Sequence, residues 1–304
     1  MKKKSLPDLK SLPRGNAPKE LLEGALVLEG GAFRGVYTNG VLDVLMREGI
    51  CLRTTYGVSA GALNGINYVA GQIGRSARIN LRYRRDSRYV GKDAFRTNKG
   101  IIGFDFIFGD LPGVEKLNES RLMSSETEFF PVACCMETGE AVPIGKNGSV
   151  QDLFKAVQAS ASLPYFSSSV VIDGEHYLDG GAACRVPFPF PLERGFDKIV
   201  VIRTRQRAYR KQLKTGRSLS MNKLVYKKYP LYLEALSREK DRYNRDCDTL
   251  ELLEKQGKIF VIAPSEQVTV KRLEGDMDKL TDLYWLGVRD AEERMAALKE
   301  YFGL

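Results

Sequence analysis

Residues 26–35 read Leu26-Val27-Leu28-Glu29-Gly30-Gly31-Ala32-Phe33-Arg34-Gly35, a short apolar run that ends in a glycine-rich turn. Apolar positions then recur at helical spacing over 36–47, so this part of the chain predicts a strand, a turn and a helix. The same succession follows at once, because the β-prone residues 54–58 lead through Ser59 into a run of small residues over 60–69. Two such units in succession predict an α/β fold with a mostly parallel sheet and helices on its faces.

The remaining elements are predicted from periodicity and turn signals. Short apolar runs predict strands at 129–136, 141–144, 170–172, 176–178, 198–202 and 258–262. Helical patterns predict helices at 153–161, 205–254 and 277–298. The segment 75–108 is rich in arginine and tyrosine and then in aromatics and glycine, and we expect it to form a loop or cap over one end of the sheet.

The length of the chain bounds its domain organisation. Its 304 residues are about twice the usual domain length of roughly 150 residues, which allows one large domain or two small ones. Residues 1–22 are rich in lysine, proline and serine and predict a flexible basic tail. We expect one domain at 23–304, because the strand predicted at 258–262 is expected to join the same sheet, and a two-domain arrangement is the alternative.

Composition excludes several classes of protein. With 43% hydrophobic and 28% charged residues, the chain has ordinary globular usage, which argues against long disorder. It contains no apolar run of about 18 residues, so no membrane span is predicted. No apolar segment follows the basic start, so we expect no secretory signal and a cytoplasmic protein. Five cysteines without Cys-x-x-Cys spacing predict buried, reduced thiols.

The net charge of +9 favours contact with something anionic. Basic side chains concentrate in two places, around 82–88 and around 203–228, where tyrosines are interleaved with them. On an amphipathic helix the second set would suit peripheral contact with an anionic membrane surface at the inner membrane face; a solvated helix face is the alternative. The two sets are Arg82, Arg84, Arg85 and Arg88, and Arg203, Arg205, Arg207, Arg210, Lys211, Lys214, Arg217, Lys223, Lys227 and Lys228.

The second turn fits the pattern Gly-x-Ser-x-Gly, with Ser59 flanked by Gly57, Val58, Ala60 and Gly61. A serine projected from a sharp strand-to-helix turn needs small neighbours, because the two backbones approach closely there. The pattern therefore predicts a nucleophile elbow. A serine that merely caps the following helix is the alternative interpretation.

The first turn has three interpretations. A dinucleotide-binding turn is disfavoured because Ala32 occupies the glycine position at which the pyrophosphate approaches the backbone. A Walker-type loop is disfavoured because no Gly-Lys-Ser/Thr follows. The third interpretation fits better: the amides of Gly31, Ala32 and Phe33 form an anion-binding concavity, which beside a nucleophilic serine is an oxyanion hole. Arg34 could pin this loop, meet a phosphate, or form a salt bridge elsewhere.

Few residues are available as the base for Ser59. His176 is the chain's single histidine. It lies three residues from Asp179 on one predicted strand, so the two side chains point to opposite faces and cannot form the usual pair. A serine nucleophile must therefore use a carboxylate, a lysine or no base. Asp179 precedes Gly180 and Gly181, a tripeptide that alone is typical of an ordinary turn.

Together these motifs resemble the patatin-like phospholipase family. The resemblance is specific over 24–204, which would be the motif-bearing core. It is weaker through 258–263 and 284–291, in a helical C-terminal part at 205–304 with one strand. The stretches that carry it are 26–35, Gly40-Val41-Leu42, 57–61, Ala159-Ser160-Ala161-Ser162-Leu163-Pro164 and 179–181.

The resemblance implies a three-layer α/β/α fold and a Ser-Asp dyad. Ser59 would be the nucleophile, Asp179 the proton acceptor, and the turn from Gly30 to Gly35 the oxyanion hole. It also implies hydrolysis of acyl esters of lipids, without a metal or another cofactor. Ala32 departs from the family's pattern of three consecutive glycines, and an alanine loses conformational freedom if its φ is positive.

Three functions from different classes follow from these motifs. A lipid acyl hydrolase depends on Ser59 and Asp179. A nucleotide-binding α/β protein would use the Gly30–Gly35 turn and be indifferent to Ser59. A basic nucleic-acid-binding module ranks lowest, because no groove-reading helix motif or aromatic RNA platform is present. The oligomeric state stays open.

Overall fold

The computed structural model describes residues 10–212 and 224–304. Predictions for residues 1–9, the first part of the predicted basic tail, and for Lys214, Arg217 and Lys223 lie outside the described residues. Within the described ranges no helix is both long and apolar enough to cross a membrane.

The strands and helices that the structure describes have the following bounds. The strands are β1 (Gly15–Asn16), β2 (Leu22–Leu28), β3 (Leu52–Val58), β4 (Gln72–Ile73), β5 (Glu128–Cys135), β6 (Ala141–Pro143), β7 (Val170–Ile172), β8 (Glu175–Asp179), β9 (Ile199–Ile202) and β10 (Phe260–Ile262). The helices are α1 (Gly35–Arg47), α2 (Ala60–Val69), α3 (Arg75–Tyr83), α4 (Lys92–Asn98), α5 (Phe104–Phe108), α6 (Glu119–Leu122), α7 (Val150–Ala161), α8 (Pro189–Glu193), α9 (Pro230–Lys255) and α10 (Met277–Phe302). Short 3-10 turns occupy Ala32–Arg34 and Gly180–Ala182.

One eight-stranded sheet organises the molecule, in the order β10-β9-β2-β3-β5-β8-β7, with β6 paired to β5. The strands from β10 to β5 run parallel to their neighbours, whereas β6, β7 and β8 pair antiparallel. The predicted α/β class with a mostly parallel sheet is therefore confirmed. The predicted strand at 258–262 is β10, and it pairs with β9 in this sheet.

The prediction of a loop over 75–108 is wrong, because this segment contains α3, α4 and α5. The basic composition of this segment favours the prediction of an exposed loop, because arginine side chains are usually exposed to solvent. In α3 the Arg78 side chain is instead buried and forms an ion pair with Glu115. Arg75, also buried, donates to the Asn67 side chain at 2.6 Å. Paired in this way, the arginines become part of the interior.

The prediction of one helical region over 205–254 is also only partly correct. Residues 205–212 are not helical, and the helix α9 begins at Pro230. Three basic side chains of this irregular stretch, those of Arg207, Arg210 and Lys211, pair with acidic groups on α9. The Nη2 of Arg210, for example, lies 2.7 Å from both Asp248 Oδ1 and Glu251 Oε1. Ion pairs with α9 thus take the place of the amphipathic basic helix expected at 205–212.

Helices α1 and α10 cross at a pair of glycines. A Cβ atom on Gly40 would lie 2.2 Å from the Tyr284 carbonyl oxygen, and one on Gly287 would lie 2.2 Å from that of Tyr37. The close approach allows reciprocal hydrogen bonds, in which Tyr37 donates to Asp290 at 3.0 Å and Tyr284 donates to Asp43 at 2.9 Å. The crossing holds α10 against α1, the helix that follows the first turn.

Replacing Gly287 by alanine tests this contact. We expect Gly287→Ala to lower the free energy of unfolding by about 2–3 kcal/mol, because the methyl group forces the helices apart. Gly275→Ala is the matched control, since a methyl group there would meet nothing within 4 Å and the φ of Gly275 is not positive. Urea unfolding of both variants checks the expectation, and equal stability of the two would contradict it.

Candidate active site

Ser59 lies at the turn between β3 and α2, where its backbone adopts φ 55° and ψ −119°. This conformation is strained for a residue with a side chain, and its neighbours leave little room to relax. A Cβ on Gly57 would lie 2.7 Å from the Ala62 amide nitrogen, and one on Gly61 would lie 2.4 Å from the Leu28 carbonyl oxygen. The Ser59 hydroxyl makes no capping hydrogen bond to α2, so the geometry is that of a nucleophile elbow.

Ser160, near the end of α7, holds the Ser59 backbone in place. Its Oγ accepts a hydrogen bond from the Ser59 amide at 2.9 Å and donates one to the Val132 carbonyl oxygen at 2.7 Å. The Ser160 side chain is completely buried. In the sequence this residue is only part of a predicted helix end, and no local signal marks its contact with Ser59.

The order of the strands in the sheet brings Asp179 close to Ser59. Val58 of β3 is in register with Val132 of β5, and Ala133 of β5 is in register with Asp179 of β8. The ends of β3 and β8 therefore meet at one edge of the sheet, although Ser59 and Asp179 are far apart in sequence.

The environment of Asp179 determines how readily its carboxyl group loses a proton. Its Oδ1 accepts the Gly181 amide at 2.8 Å, and the nearby Ser59 hydroxyl favours the ionised form of the carboxyl. Burial raises the pKa of Asp179 above its ordinary value, and the interactions with Ser59 and the nearby Arg185 partly oppose this rise. A raised pKa makes the carboxylate a stronger base than an exposed aspartate.

The amides of the first turn are unequally available. Gly30 donates to the Arg185 carbonyl at 3.0 Å, Phe33 to that of Arg272 at 3.2 Å and Arg34 to that of Gly31 at 3.2 Å. The Gly35 amide bonds within the 3-10 turn. Within the described ranges, no hydrogen bond leaves the amides of Gly31 and Ala32. Of the six residues predicted for an oxyanion hole, these two have amides free to bind an oxygen.

Ala32 adopts φ 49°, so the position where the family's pattern has a glycine does require a positive φ. An alanine at this position still supplies a backbone N–H donor, as a glycine would. Ala32 also lines the same cleft as Ser59.

A narrow apolar cleft of about 50 Å³ opens beside Ser59. Its walls come from the first turn, from α2 and from the segment around α3, and its apolar lining includes Leu63, Val90, Ile102, Leu163 and Leu273. Phe33 at its edge is held edge-on to Tyr89, with ring centroids 6.1 Å apart. The segment predicted as a cap thus contributes to the site, although it is helical.

His176 takes no part in this arrangement. Its Nδ1 lies 2.9 Å from Glu137 Oε1, and its backbone amide donates to Glu137 Oε2 at 3.0 Å. Asp179 instead accepts the Gly181 amide and lies near the Ser59 hydroxyl, which agrees with the prediction that the histidine and Asp179 do not pair.

One group in the described part of the chain has ligand atoms close enough to hold a metal ion. Cys135, Glu137 and Glu175 place their sulfur and carboxylate atoms within 4.8 Å of one another. This group lies away from the Ser59 turn, since Cys135 is in register with Tyr177 rather than with Asp179. All five cysteines are free, and Cys184 is the one that is partly exposed.

Replacing Ser160 by alanine tests its role at the turn. We expect Ser160→Ala to cost about 1–3 kcal/mol of stability, because it leaves the buried Ser59 amide and Val132 carbonyl without a partner. Ser237→Ala is the control, since this exposed hydroxyl bonds only to the carbonyl of Glu234 in its own helix. Thermal unfolding checks the difference, and an unchanged midpoint for Ser160→Ala would refute the role.

The fold and the turn define an α/β protein with a strained serine at a strand-to-helix junction. The family model for patatin-like phospholipase matches residues 26–191, more than half of the chain, and the chain belongs to this family. A second model, for a domain of unknown function (DUF6363), matches residues 229–303.

Two individual proteins are similar to this chain. The uncharacterized protein YjjU of Escherichia coli K12 is 30% identical over 186 residues, which cover 59% of this chain and 51% of that protein. The chain thus spans about half the length of this curated relative. The crystal structure of VipD from Legionella pneumophila is 15% identical, with a TM-score of 0.48, over 95% of this chain and 69% of that one.

Proposed function

We propose that this protein hydrolyses acyl esters of lipids, with Ser59 as the nucleophile and Asp179 as the proton acceptor. The observation that carries the proposal is the buried Asp179 carboxyl, whose ionised form the Ser59 hydroxyl at the strained turn helps to stabilise. The apolar cleft beside them suits an acyl chain. Membership of the patatin-like phospholipase family supports the same reaction class.

In the first half of the reaction, Ser59 Oγ attacks the ester carbonyl while Asp179 accepts its proton. The tetrahedral oxyanion binds the amides of Gly31 and Ala32, which donate to no described residue. Each such donor contributes roughly 3–4 kcal/mol to transition-state stabilisation. The first turn of α2, whose positive dipole end lies at Ser59, favours the same negative charge.

The second half releases the two products. Protonated Asp179 gives its proton to the leaving alcohol as the carbon–oxygen bond breaks, which leaves an acyl-serine and an ionised carboxylate. A water then loses a proton to Asp179 and attacks the acyl-serine. When this intermediate collapses, Ser59 recovers a proton from Asp179 and the fatty acid leaves.

We also propose that residues 23–304 act as one hydrolase domain. The pairing of β10 with β9 and the glycine crossing of α10 with α1 support this proposal. Contact with an anionic membrane surface, and residence in the cytoplasm or at the inner membrane face, stay predictions. Some cations of the two basic sets already have partners, such as Arg84, which stacks on Phe33 at 4.3 Å, and Arg207, which pairs with Glu254.

Substitution of the dyad tests the proposed function directly. We expect Ser59→Ala to lower kcat/KM for p-nitrophenyl butyrate roughly 10⁴-fold or more and Asp179→Asn roughly 10³-fold. His176→Ala should retain wild-type kcat/KM. Asp173→Asn, at the positive-φ turn of the β7–β8 hairpin, is the matched control for the aspartate.

A fluorophosphonate probe gives a second readout. Mass spectrometry of labelled protein should place the adduct on Ser59, and Ser59→Ala should remain unlabelled. An adduct on another serine, or full hydrolysis by the Ser59→Ala protein, would reject the assignment. Saturable nucleotide binding that depends on Gly30 and ignores Ser59 would favour the nucleotide-binding alternative.

The pH profile follows from the raised pKa of Asp179. Only the ionised carboxylate accepts a proton, so kcat/KM for the neutral ester should fall as the pH is lowered. Because burial raises the pKa, the midpoint should lie above the ordinary aspartate value of about 3.9. Arg272→Gln removes a positive charge that lowers this pKa and should move the midpoint to higher pH. Arg289→Gln is the control, and a flat profile down to the acid unfolding transition would contradict the role of Asp179.

A further inference from the structure

On the side of the first turn opposite the apolar cleft lies a strongly basic pocket of about 640 Å³. Phe33 borders the cleft and the adjacent Arg34 borders the pocket. The pocket walls carry eight cationic side chains and two carboxylates. This excess of positive charge lies next to the proposed catalytic residues, because the charges of Arg185 and Arg272 both lower the pKa of the Asp179 carboxyl.

The two carboxylates of the pocket already have partners. Glu239 accepts Arg185 at 2.7 Å and also pairs with Lys211. Glu29, which is buried, accepts the Thr204 amide at 2.6 Å and the Tyr243 hydroxyl at 2.8 Å. Arg34, Arg205, Lys271 and Arg272 form no ion pair with any residue in the described ranges.

Arg34 is the most constrained of these cations. It is 8% exposed, and its buried Nε has no hydrogen-bond partner. Burial lowers the pKa of Arg34 to about 10, and the nearby positive charges of Arg205 and Arg185 add to this effect. The guanidinium still stays charged at neutral pH. The negative charge of Glu29 opposes this effect, but the Glu29 carboxylate accepts hydrogen bonds from Thr204 and Tyr243 and forms no ion pair with Arg34. A buried cation without an ion-pair partner is costly, and an anion bound in the pocket would supply that partner.

The donor set specifies the kind of anion. Guanidinium groups match the oxygens of phosphate in paired hydrogen bonds, and several of them around one cavity suit a tetrahedral anion with acceptors on all sides. Arg205 is held in position by its bond to the Val268 carbonyl at 2.6 Å and by stacking on Tyr209 at 4.6 Å. Arg272 is exposed and therefore lies at the pocket's rim.

We propose that this pocket binds a phosphate group between Arg34, Arg205 and Arg272. The phosphate could belong to the headgroup of a lipid whose ester lies in the cleft, since only the width of the first turn separates the two cavities. It could equally be a free phosphate compound that occupies the pocket alone. The headgroup source rests on the proposed hydrolase function, whereas phosphate binding itself does not.

Binding is measured on Ser59→Ala protein, in which turnover is abolished. Titration calorimetry at low ionic strength with inorganic phosphate, and separately with glycerol 3-phosphate, should give saturable binding. Arg272→Gln and Arg205→Gln should each weaken it roughly tenfold or more, while Arg289→Gln, which removes an exposed cation paired with Glu266, should leave it unchanged. Thermal unfolding establishes that each variant is folded, and Arg272→Gln removes no hydrogen bond that could destabilise the described part of the chain.

Two results would overturn the proposal. One is the absence of saturable binding of both phosphate compounds. The other is an equal loss in Arg289→Gln, which would mean that overall charge and not the pocket attracts the anion.

Kinetics distinguishes the two sources of phosphate. For a headgroup, inorganic phosphate competes with hydrolysis of a short-chain phosphatidic acid below its micelle concentration. Arg272→Gln then raises the KM for this substrate at least roughly tenfold more than the KM for p-nitrophenyl butyrate. For a free phosphate compound, neither effect occurs although the calorimetric binding remains. If the wild-type protein hydrolyses neither ester, the hydrolase function is rejected, whereas the calorimetric result on phosphate binding still stands.

Discussion

The close contact between the two glycine-containing turns is the constraint that governs the geometry of the site. A Cβ on Gly35 would lie 2.8 Å from that of Ala60, and the Asn64 side chain donates to the Gly35 carbonyl at 2.8 Å. The Ser59 turn can therefore not relax toward an ordinary helix start without displacing the first turn. Ser160 further restricts the Ser59 backbone, because its Oγ accepts a hydrogen bond from the Ser59 amide. In this way tight packing offsets the strain of a positive φ at Ser59.

The first turn also separates two environments of opposite character. On one side lies an apolar cleft at Ser59, and on the other a pocket dominated by arginine and lysine. Asp179 is buried, and its pKa depends both on this burial and on the positive charges nearby. Burial favours the protonated carboxyl, whereas Arg185 favours the ionised form. A group balanced in this manner can take up and return a proton within one reaction cycle.

The C-terminal part of the chain completes these surroundings. Helix α9 supplies Glu239, which pairs with Arg185, and Tyr243, which donates to Glu29. Helix α10 holds α1 through the glycine crossing and thereby fixes the helix that begins at the first turn. Both helices belong to the region matched by a family model without an assigned function. Their contacts give this region a structural role in shaping the basic pocket and its border with the site.

Local sequence was sufficient to predict the α/β class and the two strand–turn–helix units, because these depend on periodicity and turn chemistry. The pattern around Ser59 predicts a nucleophile elbow, whereas only the resemblance to the patatin-like family singles out Asp179, and both roles stay predictions. Local sequence did not predict the helices at 75–108, because buried ion pairs such as Arg78–Glu115 make a basic segment part of the interior. Nor did it reveal the contact of Ser160 with Ser59, the hydrogen bond that occupies the Phe33 amide, or the lack of an ion pair at Arg34 within the described residues. Those features arise where strands and turns distant in the chain meet, and they exist only in the folded chain, because no short stretch of residues specifies which polar groups find partners there.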